Sequence, residues 1–207
     1  MNGTGPLLER LRGAGHPLHQ PPTGEPWNRR EVDDLAGPLA DLRPAAVLLP
    51  VVVRTSGAGL IFTRRNDSLR HHAGQISFPG GRIEPDDDGP LGAALRETHE
   101  EIGLDPALTE PLGFLDPLAT ITGFRVVPVL GLVRGDPVLV PDPGEVAETF
   151  EVPLEFLLDP AHLEEHSREF RGRVRRYHVI RWRQYEIWGA TASIIANLGQ
   201  RLRGDPT

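Results

Sequence analysis

The stretch Arg96-Glu97-Thr98-His99-Glu100-Glu101-Ile102-Gly103-Leu104 decides how this chain of 207 residues is read. At about 3.6 residues per helical turn, Glu97, Glu100 and Glu101 leave one face of a helix. Arg96 stands four residues before Glu100, within reach of a same-helix ion pair. Leu91, Leu95, Thr98 and Ile102 mark a second, mostly apolar face suited to packing inward. Gly103 is a natural helix stop in the left-handed conformation. At the other end Pro90 suits the first helical turn, and Asp88 is placed to satisfy the free amides there.

Three acids on one face have a plain reading and a chemical one. The plain reading is a solvated acidic surface, because like charges at this spacing cost a helix only about 0.2–0.5 kcal/mol per pair. The chemical reading is a seat for a hard divalent cation. Mg²⁺ prefers oxygen ligands, keeps several waters and bridges carboxylates to substrate phosphates.

The neighbouring residues favour the second reading, because the stretch resembles the Nudix box. That pattern is glycine, five residues, glutamate, seven residues, then Arg-Glu-aliphatic-x-Glu-Glu-x-Gly-aliphatic. Arg96, Glu97, Glu100, Glu101, Gly103 and Leu104 match its second half. Thr98 stands where an aliphatic residue is usual. In the first half, counting forward from Gly81 leads to Asp87, and counting back from Arg96 leads to Asp88. The connection is one residue longer than the pattern, with aspartate in place of glutamate. Both aspartates stay open as the acid that braces Arg96.

A second motif lies directly upstream. Ile61-Phe62-Thr63-Arg64-Arg65-Asn66, then Arg70, then Gly74-Gln75-Ile76-Ser77-Phe78-Pro79-Gly80-Gly81, resembles the signature of the coenzyme A pyrophosphatase branch of Nudix hydrolases. Thr63, Arg65, Arg70, Gly74, Phe78, Pro79, Gly80 and Gly81 fall in register, and Asn66 replaces the usual serine. The resemblance implies substrate-binding roles for Thr63, Arg65, Arg70, Gly74, Phe78 and Gly80. It implies a cation held by Glu97, Glu101 and Glu100 with a backbone carbonyl near Gly80 or Gly81.

Charge supports this grouping. The whole chain is acidic, with a formal charge of −7, which argues against a general nucleic-acid or membrane-surface binder. From Arg64 to Arg82 the sign reverses, with Arg64, Arg65, Arg70 and Arg82 plus His71 and His72 against Asp67 alone. Arginines hold phosphates by bidentate bonds. Coenzyme A carries a diphosphate and a separate ribose 3′-phosphate, so it offers anions to both the cation and the arginines. His71 and His72 read as loop surface.

The absence of cysteine excludes disulfides, thiolate zinc sites and cysteine nucleophiles. No secretory start is visible at Met1, and the apolar run Ala45 to Val53 is too short to span a bilayer. The expectation is a cytoplasmic protein with a small-molecule substrate, no nucleic acid partner and no membrane partner.

The chain reads as an N-terminal arm, residues 1–44, packed on a domain of residues 45–207. In the arm, Leu7, Leu8 and Leu11 predict a short helix, and Val32 to Leu42 predict another. Trp27 reads as a packing residue. Ala45 to Val53 predicts a buried strand, with Gly59 to Thr63 as its hairpin partner. Leu112 to Thr120 and Phe124 to Val133 predict two more, with Pro128 marking an edge or a bulge. Pro141-Asp142-Pro143-Gly144 is a turn. Beyond it, Glu145 and then Glu148 are candidates for the extra carboxylate that Nudix enzymes often recruit from outside the box. Ser167 to Trp188 predicts a β-ribbon in which Tyr177, Trp182, Tyr185 and Trp188 pack. Ala190 to Leu202 predicts a closing helix with Ile194, Ile195 and Leu198 inward.

Strands alternating with two main helices predict an α/β/α sandwich around a mixed sheet, and the resemblance implies the Nudix fold. It further implies hydrolysis of the diphosphate of coenzyme A or its derivatives to 3′,5′-ADP and 4′-phosphopantetheine or its acyl form. Mg²⁺ or Mn²⁺ is the expected cofactor. Arg96, Glu97, Glu100, Glu101 and Glu145 are the catalytic candidates. Two alternatives stand beside this: a pyrophosphatase for another nucleoside diphosphate derivative such as ADP-ribose or NADH, and a ligand sensor on the same fold without catalysis.

Overall fold

The computed structural model describes residues 4–32, 34, 38–68 and 73–205. The chain begins with α1 (Thr4–Ala14) and a single helical turn, α2 (Arg29–Val32). Strands β1 (Arg43–Arg54) and β2 (Gly57–Arg65) form a hairpin, followed by the short strands β3 (Ile76–Ser77) and β4 (Gly80–Arg82). Helix α3 (Gly89–Ile102) carries the three glutamates. Then come β5 (Thr109–Phe114), β6 (Leu118–Ala119), β7 (Phe124–Val133), β8 (Val146–Pro153) and α4 (Leu154–Leu158). Strands β9 (Glu164–Phe170), β10 (Arg173–Trp182) and β11 (Tyr185–Trp188) precede the closing helix α5 (Ala190–Arg203).

The main sheet runs β3-β2-β1-β7-β5, with β4 on β1, β6 on β7 and β8 on β2. β1 and β7 are parallel and the other pairs are antiparallel, so the sheet is mixed. β9, β10 and β11 form a separate antiparallel sheet.

Residues of β1 alternate between two cores, as strand geometry requires. Ala46, Leu48 and Val52 pack with Ala93, Ala94 and Ile102 of α3. Leu49 and Val51 face the opposite core, with Leu11 of α1, Leu157 of α4 and Ile194, Ile195 and Leu198 of α5. A strand buried on both faces reads as a continuous apolar run, which is why Ala45 to Val53 shows no alternation. The architecture is therefore an α/β/α sandwich. Pro50 falls between the β1 segments that pair with β2 and β4. The amide of Leu48 faces that gap and donates to the carbonyl of Pro79. The donor that Pro50 lacks would point the same way, where no strand calls for it.

Four expectations need correction. Val32 to Leu42 is not one helix. α2 ends at Val32, and only a 3₁₀ turn over Leu39–Asp41 follows among the described residues. Leu112 to Thr120 is not one strand, because the chain leaves the ladder at Leu115-Asp116-Pro117 between β5 and β6. Pro128 is not at an edge: β7 lies between β1 and β5. It sits opposite that break, where the Leu115 amide donates to its carbonyl, so the irregularity is in the neighbouring strand. Asp88 occupies the N-cap of α3 but makes no side-chain capping bond there.

The closing helix is as expected, and so is the β-ribbon apart from Trp188. Tyr185 stacks on Phe150 with ring centroids 3.7 Å apart, and Trp182 packs on Phe156. Trp188 is more exposed than expected and meets Tyr177 only edge-on. No helix of the described residues is long and apolar enough to cross a membrane, which says nothing of spans made from strands.

Candidate active site

α3 presents its acids at three depths. Glu100 is exposed, Glu97 is half-buried and Glu101 is 5 % exposed. Arg96 organises the outer two. Its Nη1 donates to Glu97 Oε1 at 2.9 Å and to Glu100 Oε2 at 3.0 Å. The other side of the guanidinium is held by Asp87, which accepts from Nε at 2.8 Å and Nη2 at 2.9 Å. Asp87, not Asp88, is the brace. The bidentate pair holds the Asp87 carboxyl down to about 2, with Arg96 as the main cause. The longer connection is thereby absorbed: the turn places Asp87 Oδ2 on the Glu84 amide and Oδ1 on the arginine.

Glu101 turns inward toward the upstream motif. Its Oε2 accepts from the Gly80 amide at 3.2 Å, and its Oε1 lies 3.6 Å from Arg65 Nη1. Burial pushes its carboxyl up to about 7, although the Gly80 amide and Arg65 both oppose the rise. Burial also raises Glu97, against the pull of Arg96. Thr98 explains its own presence at an aliphatic position. It is buried, and its hydroxyl donates to the Ala94 carbonyl at 2.6 Å within the helix.

A β-bulge gives Glu145 and Glu148 different surroundings. Arg64 pairs with Glu148 but Arg65 pairs with Val146, so Ala147 is left without a partner. Without this extra residue, Val146 and Glu148 would share a face. With it, Glu148 stays on the face of Arg64, accepting from Arg64 Nε at 2.7 Å and from the Tyr185 hydroxyl at 3.1 Å. Val146 joins the core under α3. Glu145, just before it, is close enough for its charge to raise both Glu97 and Glu101. Among the described residues the Glu145 carboxylate makes no hydrogen bond or ion pair.

The remaining motif residues divide by depth. Thr63 is buried in β2, and its hydroxyl meets Ser77 Oγ at 3.0 Å. Phe78 is buried and stacks on Phe62. Both hold the loop rather than line its open side. Gly74 has φ +69 beside Asp67. Gly80 has φ +148 and abuts the backbone of β1, where a Cβ would fall 2.3 Å from the Ala46 carbonyl oxygen. A Cβ on Gly81 would fall 2.5 Å from the Glu97 carboxylate. Arg70, with His71 and His72, lies outside the described residues.

The donor set fits a hard cation. Glu97, Glu100 and Glu101 supply oxygens only, and Gly81 leaves the Glu97 carboxylate uncrowded. Glu101 is a buried acid whose two partners do not restore an ordinary acidity, and a cation beside it would favour its charged form. The acids are not gathered into a closed cage: among the described residues no three His, Asp or Glu groups converge as ready ligands. Arg96 draws Glu97 and Glu100 outward while Gly80 and Arg65 draw Glu101 inward. A cavity of about 420 Å³ lies elsewhere, lined by Arg30, Glu31, Tyr177, His178 and Ser193 among others, and holds none of the motif residues.

The NUDIX domain matches residues 42–173 of this chain. The protein belongs to the Nudix family. It is 38% identical over 164 residues to the uncharacterized Nudix hydrolase NudL of Enterobacter sp. (strain 638), a match spanning 79% of this chain and 85% of that one. NudL of Escherichia coli (strain K12) is equally similar over the same shares. Among solved structures, the Nudix hydrolase RenU of M. smegmatis is 24% identical, with a TM-score of 0.48 over 56% of this chain and 74% of that chain. The C. elegans Ap4A hydrolase is 20% identical, with a TM-score of 0.47 over 54% and 80%. Likenesses this distant carry no weight for the substrate. The family membership makes this Nudix protein a hydrolase of pyrophosphate bonds, a reaction for which the family generally uses divalent metal ions.

The bulge at Ala147 and the Gly80 bond to Glu101 had no signal in the sequence, whereas the polar Thr98 at an aliphatic position was one for its hydroxyl bond. Asn66 had one: it departs from the serine of the motif.

Proposed function

We propose that this Nudix hydrolase cleaves the diphosphate of coenzyme A and its derivatives, giving 3′,5′-ADP and 4′-phosphopantetheine or its acyl form. The reading is carried by the 3.6 Å approach of Arg65 to Glu101, which joins the coenzyme A-type motif to the box acids. The Arg65 side chain is only part-buried, so its guanidinium can offer donors to a phosphate oxygen from its exposed side.

Glu97 and Glu101, with Glu100 and the carbonyl of Gly81, would hold Mg²⁺ or Mn²⁺. Bound there, the cation neutralises phosphate oxygens and acidifies the attacking water. Arg96, fixed by Asp87, orients Glu97 and Glu100. Arg65 holds a substrate phosphate. Glu145 takes the proton of the water on a carboxylate oxygen, the role open to an acid with no hydrogen bond or ion pair among the described residues. Water oxygen bonds to phosphorus and the bridging P–O bond breaks, leaving two phosphomonoesters. A cytoplasmic setting is part of this proposal.

The test compares turnover of coenzyme A, 3′-dephospho-coenzyme A and ADP-ribose. Preference for coenzyme A by tenfold or more supports the reading. Equal rates, or preference for ADP-ribose, assign the site to nucleoside diphosphate derivatives at large.

A further inference from the structure

We propose that Asn66 is a positioning residue that fixes the turn carrying Glu145 and so sets where that carboxylate stands beside Glu97 and Glu101. The inference rests on the role given to Glu145 above.

The turn Pro141-Asp142-Pro143-Gly144 is strung between two supports. On the helix side, the Asp142 amide donates to the Glu101 carbonyl at 2.9 Å. On the β2 side the support is Asn66. Its amide donates to the Glu145 carbonyl at 2.8 Å, and its side-chain Nδ2 donates to the Pro143 carbonyl at 2.6 Å. Its Oδ1 accepts from the Ser68 amide at 3.0 Å, so both ends of the side chain are engaged and its rotation is fixed. Inside the turn, Asp142 closes the loop by accepting from the Gly144 amide on Oδ1 and from the Glu145 and Val146 amides on its carbonyl.

Asn66 therefore does for Glu145 what a distant brace does for any reacting group. It contacts no substrate, but it holds the segment from which the carboxylate projects. It also directly follows Arg65, so one dipeptide ties the phosphate-binding arginine to the proton-accepting acid. The serine usual at this place in the motif is one bond shorter, and does not span to Pro143 from the same backbone. A misplacement on the order of 1 Å at a reacting group costs up to about a hundredfold in rate, so a modest loosening of the turn is visible in kcat.

The experiment is a double-mutant cycle of Asn66→Ala and Glu145→Gln on the full chain, using coenzyme A and Mg²⁺. The expected result is a kcat about tenfold lower for Asn66→Ala with KM within twofold. In the Glu145→Gln background, already slow, Asn66→Ala has little further effect. Hydrogen exchange of the metal-free protein supplies a readout apart from turnover, with faster exchange across residues 142–146 expected. Asn66→Ser, which is too short to carry the donor to Pro143, serves if the alanine variant folds poorly. An equal loss in both backgrounds, a loss confined to KM, or unchanged exchange across the turn overturns the proposal for Asn66 alone. A Glu145→Gln protein that turns over at the wild-type rate overturns the role of Glu145 itself, and the proposal with it.

Discussion

Arg65 and Glu101, 36 residues apart in sequence, meet at 3.6 Å with the glutamate almost wholly buried. This contact joins two motifs that the sequence shows only as neighbours. β2 supplies the arginine from the sheet, and α3 supplies the acid from the layer above it. The Gly80 amide closes the same corner on the other carboxylate oxygen.

Burial of Glu101 gives a stability signature. Its carboxyl ionises near 7 in the fold against 4.5 ordinarily. The folded state thus holds the proton more tightly. The associated stability is full below pH 4.5 and is lost as pH rises through 7. In EDTA, Glu101→Gln is expected to be the more stable protein at pH 8, by up to about 3 kcal/mol, and the gap closes near pH 4. Denaturant unfolding at the two pH values measures this. The same variant loses metal-dependent turnover.

Asp87 and Asp88 separate cleanly. Asp87 makes two charged hydrogen bonds to Arg96, while Asp88 makes no capping bond. Partners that orient a metal site typically matter by about 10- to 100-fold. Asp87→Asn is expected to lower kcat/KM by about that factor, and Asp88→Asn by less than about twofold on the same scale. Steady-state kinetics on both variants decides it.

The adjacent glycines are expected to fail in different ways. A methyl on Gly80 meets fixed backbone at Ala46 and Val47, at a φ that side chains rarely adopt. Gly80→Ala should destabilise the fold by about 1–3 kcal/mol or more. A methyl on Gly81 first meets the far end of the Glu97 side chain. Gly81→Ala should keep a melting temperature near wild type and lose most of its activity, because the carboxylate must move. Calorimetry with a turnover assay on each variant tests the contrast.

The N-terminal arm is expected to be part of the folding unit. Leu11 is fully buried among residues of the core that α5 closes, and His16 bridges to Phe114 on β5. Leu11→Ala should cost about 2–5 kcal/mol, read from denaturant midpoints.

The sequence made the helix legible because its acids, its Gly103 stop and its apolar face all obey one period. The α5 face was legible for the same reason, and β1 for a different one, its continuous apolar run. What could not be read was geometry created by tertiary contact. Choosing Asp87 over Asp88 depends on how the turn after Glu84 folds back onto Arg96. The placing of Val146 and Glu148 on opposite faces depends on one unpaired residue, Ala147, in a strand whose pattern gives no sign of a bulge. Pro128 misled because proline reports only a missing donor, and here the neighbouring strand is broken opposite it.

The most direct measurement is a phosphorus NMR spectrum of coenzyme A incubated with the protein and Mg²⁺. Loss of the diphosphate signals is the expected result, with two new phosphomonoester signals, from the 5′-phosphate of 3′,5′-ADP and from 4′-phosphopantetheine, beside the retained 3′-phosphate, and Glu101→Gln should leave the coenzyme A spectrum unchanged. Intact diphosphate signals with the wild-type protein, under conditions where it hydrolyses another nucleoside diphosphate derivative, would contradict the assignment.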